Sequence, residues 1–159
     1  MFDDLLAANA RYQEHFHDPG VPGVAARGLA VLTCIDSRID PLAMLGLVAG
    51  DAKIVRNAGA RVTQDALRSL ILATNFLGVD RIIVVAHTDC AVAGTTDAAI
   101  RKRLGTDGAA SWDFLATTDQ EATIRSDLKL LAACPLIPAG VTVGGFVFDV
   151  HHGALTPVV

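Results

Sequence analysis

Two short stretches carry residue types suited to metal or acid–base chemistry. VLTCIDSRIDP, residues 31–41, ends an aliphatic run on Cys34 and then sets Asp36 two residues before Arg38. VVAHTDCAV, residues 84–92, holds His87 and Cys90 with a two-residue gap. Zinc prefers thiolate and imidazole, and a catalytic zinc keeps three protein ligands plus one open position. Cys34, His87 and Cys90 supply such a set, and the two-residue gap lets both later side chains turn inward from one tight turn. Two thiolates make the metal and its ligands formally neutral. Water bound there is harder to ionise than at an all-histidine site, where its pKa is about 7. Asp36 and Arg38 stand where they could compensate. An aspartate can orient a bound hydroxide, and an arginine can hold that aspartate in a fork-shaped hydrogen bond.

Plainer readings compete. A lone cysteine at a strand end is usually a small buried hydrophobe, and Asp36 with Arg38 could be a helix-entry acid in a surface ion pair. A nucleophilic Cys34 activated by His87 is the rival chemistry, but it leaves Cys90 without a task. A phosphatase loop would want glycines after the cysteine, and a redox dithiol would want Cys-x-x-Cys. Neither pattern is present. Cys134, before Pro135, reads as structural, and His15, His17, His151 and His152 read as solvated.

What could bring two distant stretches together is the order of elements. Phe2, Leu5, Leu6, Tyr12 and Phe16 recur at helical spacing, interrupted only by Asn9, and predict an amphipathic N-terminal helix. LAVLTC (29–34) and RIIVVAHT (81–88) have no polar alternation and read as buried strands. AKIVRNAG (52–59) and VTVGGFVFDV (141–150) read as two more, with HHGALTPVV a turn and tail. IDPLAMLGL predicts a short helix started near Asp40 and Pro41. Thr63 caps a helix whose Leu67, Leu70, Ile71, Thr74 and Leu77 face one way before Gly78. Residues 89–113 read as a helix followed by a glycine-containing loop. Thr118 and Glu121 form a capping-box pattern opening a helix through Ile124, Leu128 and Leu131 that stops at Pro135.

Strands alternating with helices predict an α/β fold in three layers, its mainly parallel central sheet flanked by helices. Right-handed crossovers favour the order 2-1-3-4. The carboxyl ends of strands one and three then flank a crevice, with Cys34 on one side and His87 on the other.

The 159 residues are expected to form one domain, 1–159, with 1–18 as an N-terminal helical arm. A net charge of −4 without a basic run argues against nucleic-acid or anionic-membrane partners. No window reaches the roughly 18 uninterrupted apolar residues of a membrane span. The acidic, amphipathic start does not read as a secretory signal. Three cysteines fit a reducing, cytoplasmic setting. A hydrophobic content of 52% with 19% charged residues predicts surface hidden in a homo-oligomer.

CIDSR, VRNAG and HTDC, in this order, resemble the β-class carbonic anhydrases, above all the short bacterial and archaeal type. The resemblance runs from about Ala30 to Val92 and returns at GGFVFDVHHGAL. Residues 95–140 match only in helical character. It implies Zn2+ on Cys34, His87 and Cys90, with Asp36 and Arg38 as the catalytic dyad. The implied reaction is reversible hydration of CO2 to bicarbonate and a proton through a zinc-bound hydroxide, in a homodimer or larger assembly with the N-terminal helix on the partner. It also implies a resting form in which the aspartate leaves the arginine for the metal. Gly59 lies where a backbone amide can approach the site. The family pattern continues His-x-x-Cys with glycine, whereas this chain has Ala91. Its added methyl is expected to reshape the pocket or to strain the backbone there. Relatives that hydrolyse carbonyl sulfide or carbon disulfide keep the same zinc set and form the alternative enzyme reading. A non-catalytic zinc-binding regulator is the alternative outside enzymes.

Overall fold

The strand that carries Cys34, β1 (Leu29–Cys34), is buried on both faces from Ala30 onward. That follows from its unbroken aliphatic run, which only an internal parallel strand can hide on both sides. The computed structural model describes residues 1–158. In it β1 pairs in parallel with β2 (Ala52–Asn57) and β3 (Arg81–His87), and β3 with β4 (Thr142–Phe148). Among the described residues one sheet has the order β2-β1-β3-β4-β5. The expected 2-1-3-4 order is present, extended by β5 (Leu155–Pro157), which runs antiparallel to β4. From sequence this segment reads as a turn and tail, since three residues are too few to show a period. The turn before it is built by Asp149, whose carboxylate accepts the His151 and His152 amides.

In register, Cys34 stands opposite Asn57, and His87 opposite Phe148. All four therefore lie at the carboxyl edge. Thr33 donates its hydroxyl to the Val85 carbonyl at 2.9 Å, tying the ends of β1 and β3 together just below the site.

α1 is Asp3–Glu14. α2 (Gln64–Phe76) begins at Thr63, whose side chain accepts from the Ala66 amide as expected. It buries Ala66, Leu70 and Ala73, so small residues bring it close to the sheet. α3 is Asp97–Leu104. α4 (Gln120–Ala133) is capped by Asp119 rather than Thr118. The Asp119 carboxylate accepts from the Ala122 amide at 2.9 Å, and a charged acceptor suits a helix N-terminus better than a hydroxyl. A Cβ on Gly145 would strike Ile124, so glycine there is what lets α4 lie on β4. The predicted helix near Pro41 shortens to a 3-10 turn, Ala43–Leu45, with Asp40 accepting the Leu42 and Ala43 amides.

One face of the sheet packs Leu32, Ile82 and Val84 against Leu70, Ile124 and Leu131. Burying each such side chain contributes about 2 kcal/mol. The opposite face holds Val31, Cys34, Ile39, Val85 and Phe148, and leaves Leu29, Ile54, Ile83 and Phe146 only partly buried. α1 forms as predicted but buries nothing: Phe2, Leu5, Leu6, Tyr12 and Phe16 are all more than half exposed.

Candidate metal centre

The segment after β2 is built as a cradle for the segment after β1. Arg56 donates to three carbonyls of the CIDSRI loop: Cys34 at 2.8 Å, Asp36 at 2.6 Å and Ile39 at 3.2 Å. The Asn57 carbonyl accepts the Ile35 amide at 3.1 Å. The Asn57 side chain closes the next turn by accepting the Arg61 amide and donating to the Arg61 carbonyl. That turn presents the Gly59 amide to Cys34 Sγ at 3.4 Å, with a Gly59 φ of +77°. A Cβ on Gly59 would lie 2.8 Å from Val92 Cγ2, so both the left-handed backbone and the space require glycine.

From the other side, β3 delivers His87, which is buried. Its Nδ1 lies 2.8 Å from the Thr88 carbonyl and must carry the proton, because a carbonyl can only accept. Nε2 is then a bare lone pair. It is buried and meets no hydrogen-bond partner among the described residues. One atom from each of Cys34, His87 and Cys90 lies within 4.8 Å of the others, and all three residues are buried. A buried orphan nitrogen facing two sulfurs is costly without a ligand, and the bond from Nδ1–H to the Thr88 carbonyl fixes the tautomer in which Nε2 can bind a metal. The three residues fit a zinc-type ion and could hold one.

The two thiols share a proton unequally. Cys34 is held well below the usual thiol range, chiefly by a hydrogen bond from Cys90 against the opposing effect of burial. Cys90 is pushed up by the same bond and by burial. Cys34 is thus the readier thiolate. Burial works to lower the pKa of His87, but the proximity and charge of the Cys34 sulfur outweigh it and the net direction is up.

Asp36 and Arg38 meet as expected. Arg38 Nε donates to Asp36 Oδ1 at 2.9 Å and Nη2 to Oδ2 at 2.7 Å, a two-pronged pair. Those bonds hold the Asp36 carboxyl far below the usual carboxylate range. Asp36 Oδ2 lies 3.8 Å from His87 Nε2, so the aspartate sits on the arginine while facing the three-donor cluster. A cavity of about 130 Å³ opens over the cluster, its apolar wall made by Ile35, Ala58, Ala91 and Val92. Ala91 therefore lines the pocket, but the strain expected there falls elsewhere. Among the non-glycine residues of this loop the one with positive φ is Asp89, at +55°. The exposed positions of His15, His17, His151 and His152 agree with the solvated reading, and Cys134 is a partly buried free thiol.

The family model for carbonic anhydrase matches residues 29–126. Beta-carbonic anhydrase 1 of Mycobacterium tuberculosis is 34% identical over 158 residues, covering 98% of this chain and 96% of that protein. The chain belongs to the β-carbonic anhydrase family. The crystal structure of a Streptococcus mutans carbonic anhydrase superposes with a TM-score of 0.89 at 38% identity, covering 99% of this chain and 97% of the other. A carbon disulfide hydrolase of an Acidianus strain is 34% identical, over 83% of this chain and 76% of that protein. This β-carbonic anhydrase has no helix long and apolar enough to cross a membrane among its described residues.

Three residues around the cluster escape sequence reasoning. Arg56 and Asn57 act on backbone groups, and Gln120 donates its side-chain amide to the His87 carbonyl at 3.0 Å. The VRNAG motif is the one signal in the sequence for the first two, and nothing in the sequence marks Gln120.

Proposed function

We propose that this β-carbonic anhydrase holds one zinc ion on Cys34, His87 and Cys90 and catalyses the reversible hydration of CO2 to bicarbonate and a proton. The buried, unpartnered His87 Nε2 beside the two sulfurs is the observation that supports it most. Zinc, when bound, supplies a Lewis acid that makes water a competent nucleophile near neutral pH. The chain's own residues do the rest. Arg38 keeps Asp36 ionised, so at neutral pH Asp36 can only accept a hydrogen bond. An acceptor-only group next to the cluster turns the O–H of the attacking water toward itself and leaves a lone pair for the carbon of CO2. Ile35, Ala58, Ala91 and Val92 offer the apolar wall that a small linear molecule needs. The Gly59 amide takes up charge on the Cys34 sulfur, offsetting the electron-rich thiolate pair.

The Acidianus relative supports a second reading, hydrolysis of carbon disulfide or carbonyl sulfide on the same cluster, since the wall has no polar group to tell these molecules apart. In either reading the chain works as a homodimer or a multiple of one. The exposed stripe of α1 and the half-covered sheet face are the surfaces such an assembly hides. Sedimentation gives the mass directly. Free thiols at the cluster suit a reducing compartment, as expected for a cytoplasmic protein.

Metal analysis of the purified protein should give about one zinc per chain. Stopped-flow assays with CO2, carbonyl sulfide and carbon disulfide then decide the substrate. Cys34→Ser should lose the metal and the activity together. Asp36→Asn should keep zinc and lose most hydration; full activity in that variant would refute the orienting role. A zinc-loaded protein that turns over none of the three molecules would leave the regulator reading standing instead.

A further inference from the structure

Asp89 lies between two of the proposed ligands and takes no part in the proposed reaction. Two observations single it out. Its φ of +55° is a left-handed conformation that side chains with a Cβ adopt reluctantly. Its carboxylate and its carbonyl are also both engaged from across the crevice. Arg38 Nη1 donates to Asp89 Oδ2 at 2.8 Å, and Arg38 Nη2 donates to the Asp89 carbonyl at 3.0 Å. The same guanidinium grips Asp36 through Nε and Nη2. It thus divides its donors between the loop that carries Cys34 and Asp36 and the loop that carries His87 and Cys90.

We infer that Asp89 is a positioning residue that, through Arg38, clasps the two ligand-bearing loops together and keeps the three-donor cluster assembled. This rests on the metal-site part of the reading above and is independent of which substrate is used. The kink at Asp89 is where the chain reverses between His87 and Cys90, so holding that residue holds the approach of both. The ion pair is exposed, with side-chain accessibilities of 39% for Arg38 and 66% for Asp89. Solvent therefore screens it, and its effect on overall fold stability is small. Its effect on metal retention is larger, because groups that orient metal ligands change affinity by about 10- to 100-fold. Exposure places this one at the lower end of that range.

The readout is the rate at which zinc passes from the loaded protein to an excess of chromophoric chelator, alongside the thermal midpoint of the metal-free protein. Asp89→Gly is the deciding variant: it relieves the backbone but removes the carboxylate. It should release zinc about 10-fold faster than the parent, and Asp89→Asn about 3-fold faster, with midpoints unchanged within a few degrees. On an Arg38→Ala background, Asp89→Gly should add less than about 2-fold, since the clasp is already open. If Asp89 merely shapes the turn, glycine serves at least as well, and zinc release as slow as in the parent overturns the inference. Full additivity with Arg38→Ala overturns it too. A parent protein that retains no zinc would remove both the clasp and the metal site. One that retains zinc and shows the expected pattern but hydrates no CO2 keeps the clasp and loses only the substrate.

Discussion

Replacing Gly59 with alanine tests whether the VRNAG turn is shaped by the need to bring an amide to Cys34. Two penalties add. At a φ of +77° a Cβ costs about 1–2 kcal/mol relative to glycine. The new methyl would also lie 2.8 Å from Val92 Cγ2, inside ordinary contact, and Val92 must turn or shift to admit it. Overpacking of this kind costs about 1–3 kcal/mol. The sum, about 2–5 kcal/mol, should lower the thermal midpoint by about 4–20 °C for a chain of this size. Urea unfolding of the metal-free protein measures it without interference from ligand binding. The double variant Gly59→Ala/Val92→Ala separates the two parts. Removing the isopropyl group makes room for the methyl but leaves the backbone strain, so the pair should be less destabilised than the sum of the singles by about 1 kcal/mol. The expected order of metal retention follows stability, because any displacement of the turn draws the amide away from Cys34 Sγ. If Gly59→Ala unfolds at the parent's urea midpoint, or if the two substitutions are strictly additive, the account of this turn is wrong.

Other expectations follow from single interactions. Asp127 is 1% exposed and accepts from Arg61 Nε at 2.8 Å and from the Val62 amide at 3.0 Å. Asp127→Ala should cost about 3 kcal/mol in urea unfolding, whereas Asp127→Leu combined with Arg61→Leu should recover part of it, since the single variant leaves the half-buried arginine without its carboxylate. Asp97 accepts the Ala116 and Phe114 amides, and these bonds depress its carboxyl pKa. A depressed folded value means that its stabilisation is complete above the unfolded pKa near ~3.9 and is lost as pH falls through the folded value. Asp97→Asn should therefore flatten the loss of stability as pH falls from about 5 to about 2, a span that brackets the unfolded value, which is checked by midpoints measured across that range. Ala91→Gly should widen the apolar wall without relieving strain, because the left-handed residue is Asp89. Stability should drop by less than about 1 kcal/mol, while the ratio of carbon disulfide to CO2 turnover should change.

The meeting of Cys34 with His87 and Cys90 was legible because it depends on topology and not on detail. Strands apolar on both faces have to be parallel and internal, crossovers have a fixed hand, and the carboxyl edge is then common to both ligand loops. Donor types as uncommon as two thiols and an imidazole did the rest. What stayed hidden has a common physical character. Arg56 acts by donating to carbonyls of Cys34, Asp36 and Ile39, and every residue owns a carbonyl, so no pairing of side-chain types betrays the contact. An arginine near the end of a half-buried edge strand reads as surface charge until its partners are seen. Asp89 is similar: between a histidine and a cysteine it looks like a solvated spacer, and only its left-handed φ and its two bonds from Arg38 show that the spacer is held. The departure at Ala91 drew attention to strain one ligand too late. The reversal has to come between His87 and Cys90, where a two-residue spacer turns both donors inward, and aspartate tolerates the left-handed region better than most residues with a Cβ. In this chain the residue types reveal which groups react, while the grip that assembles them runs through backbone atoms common to all sequences.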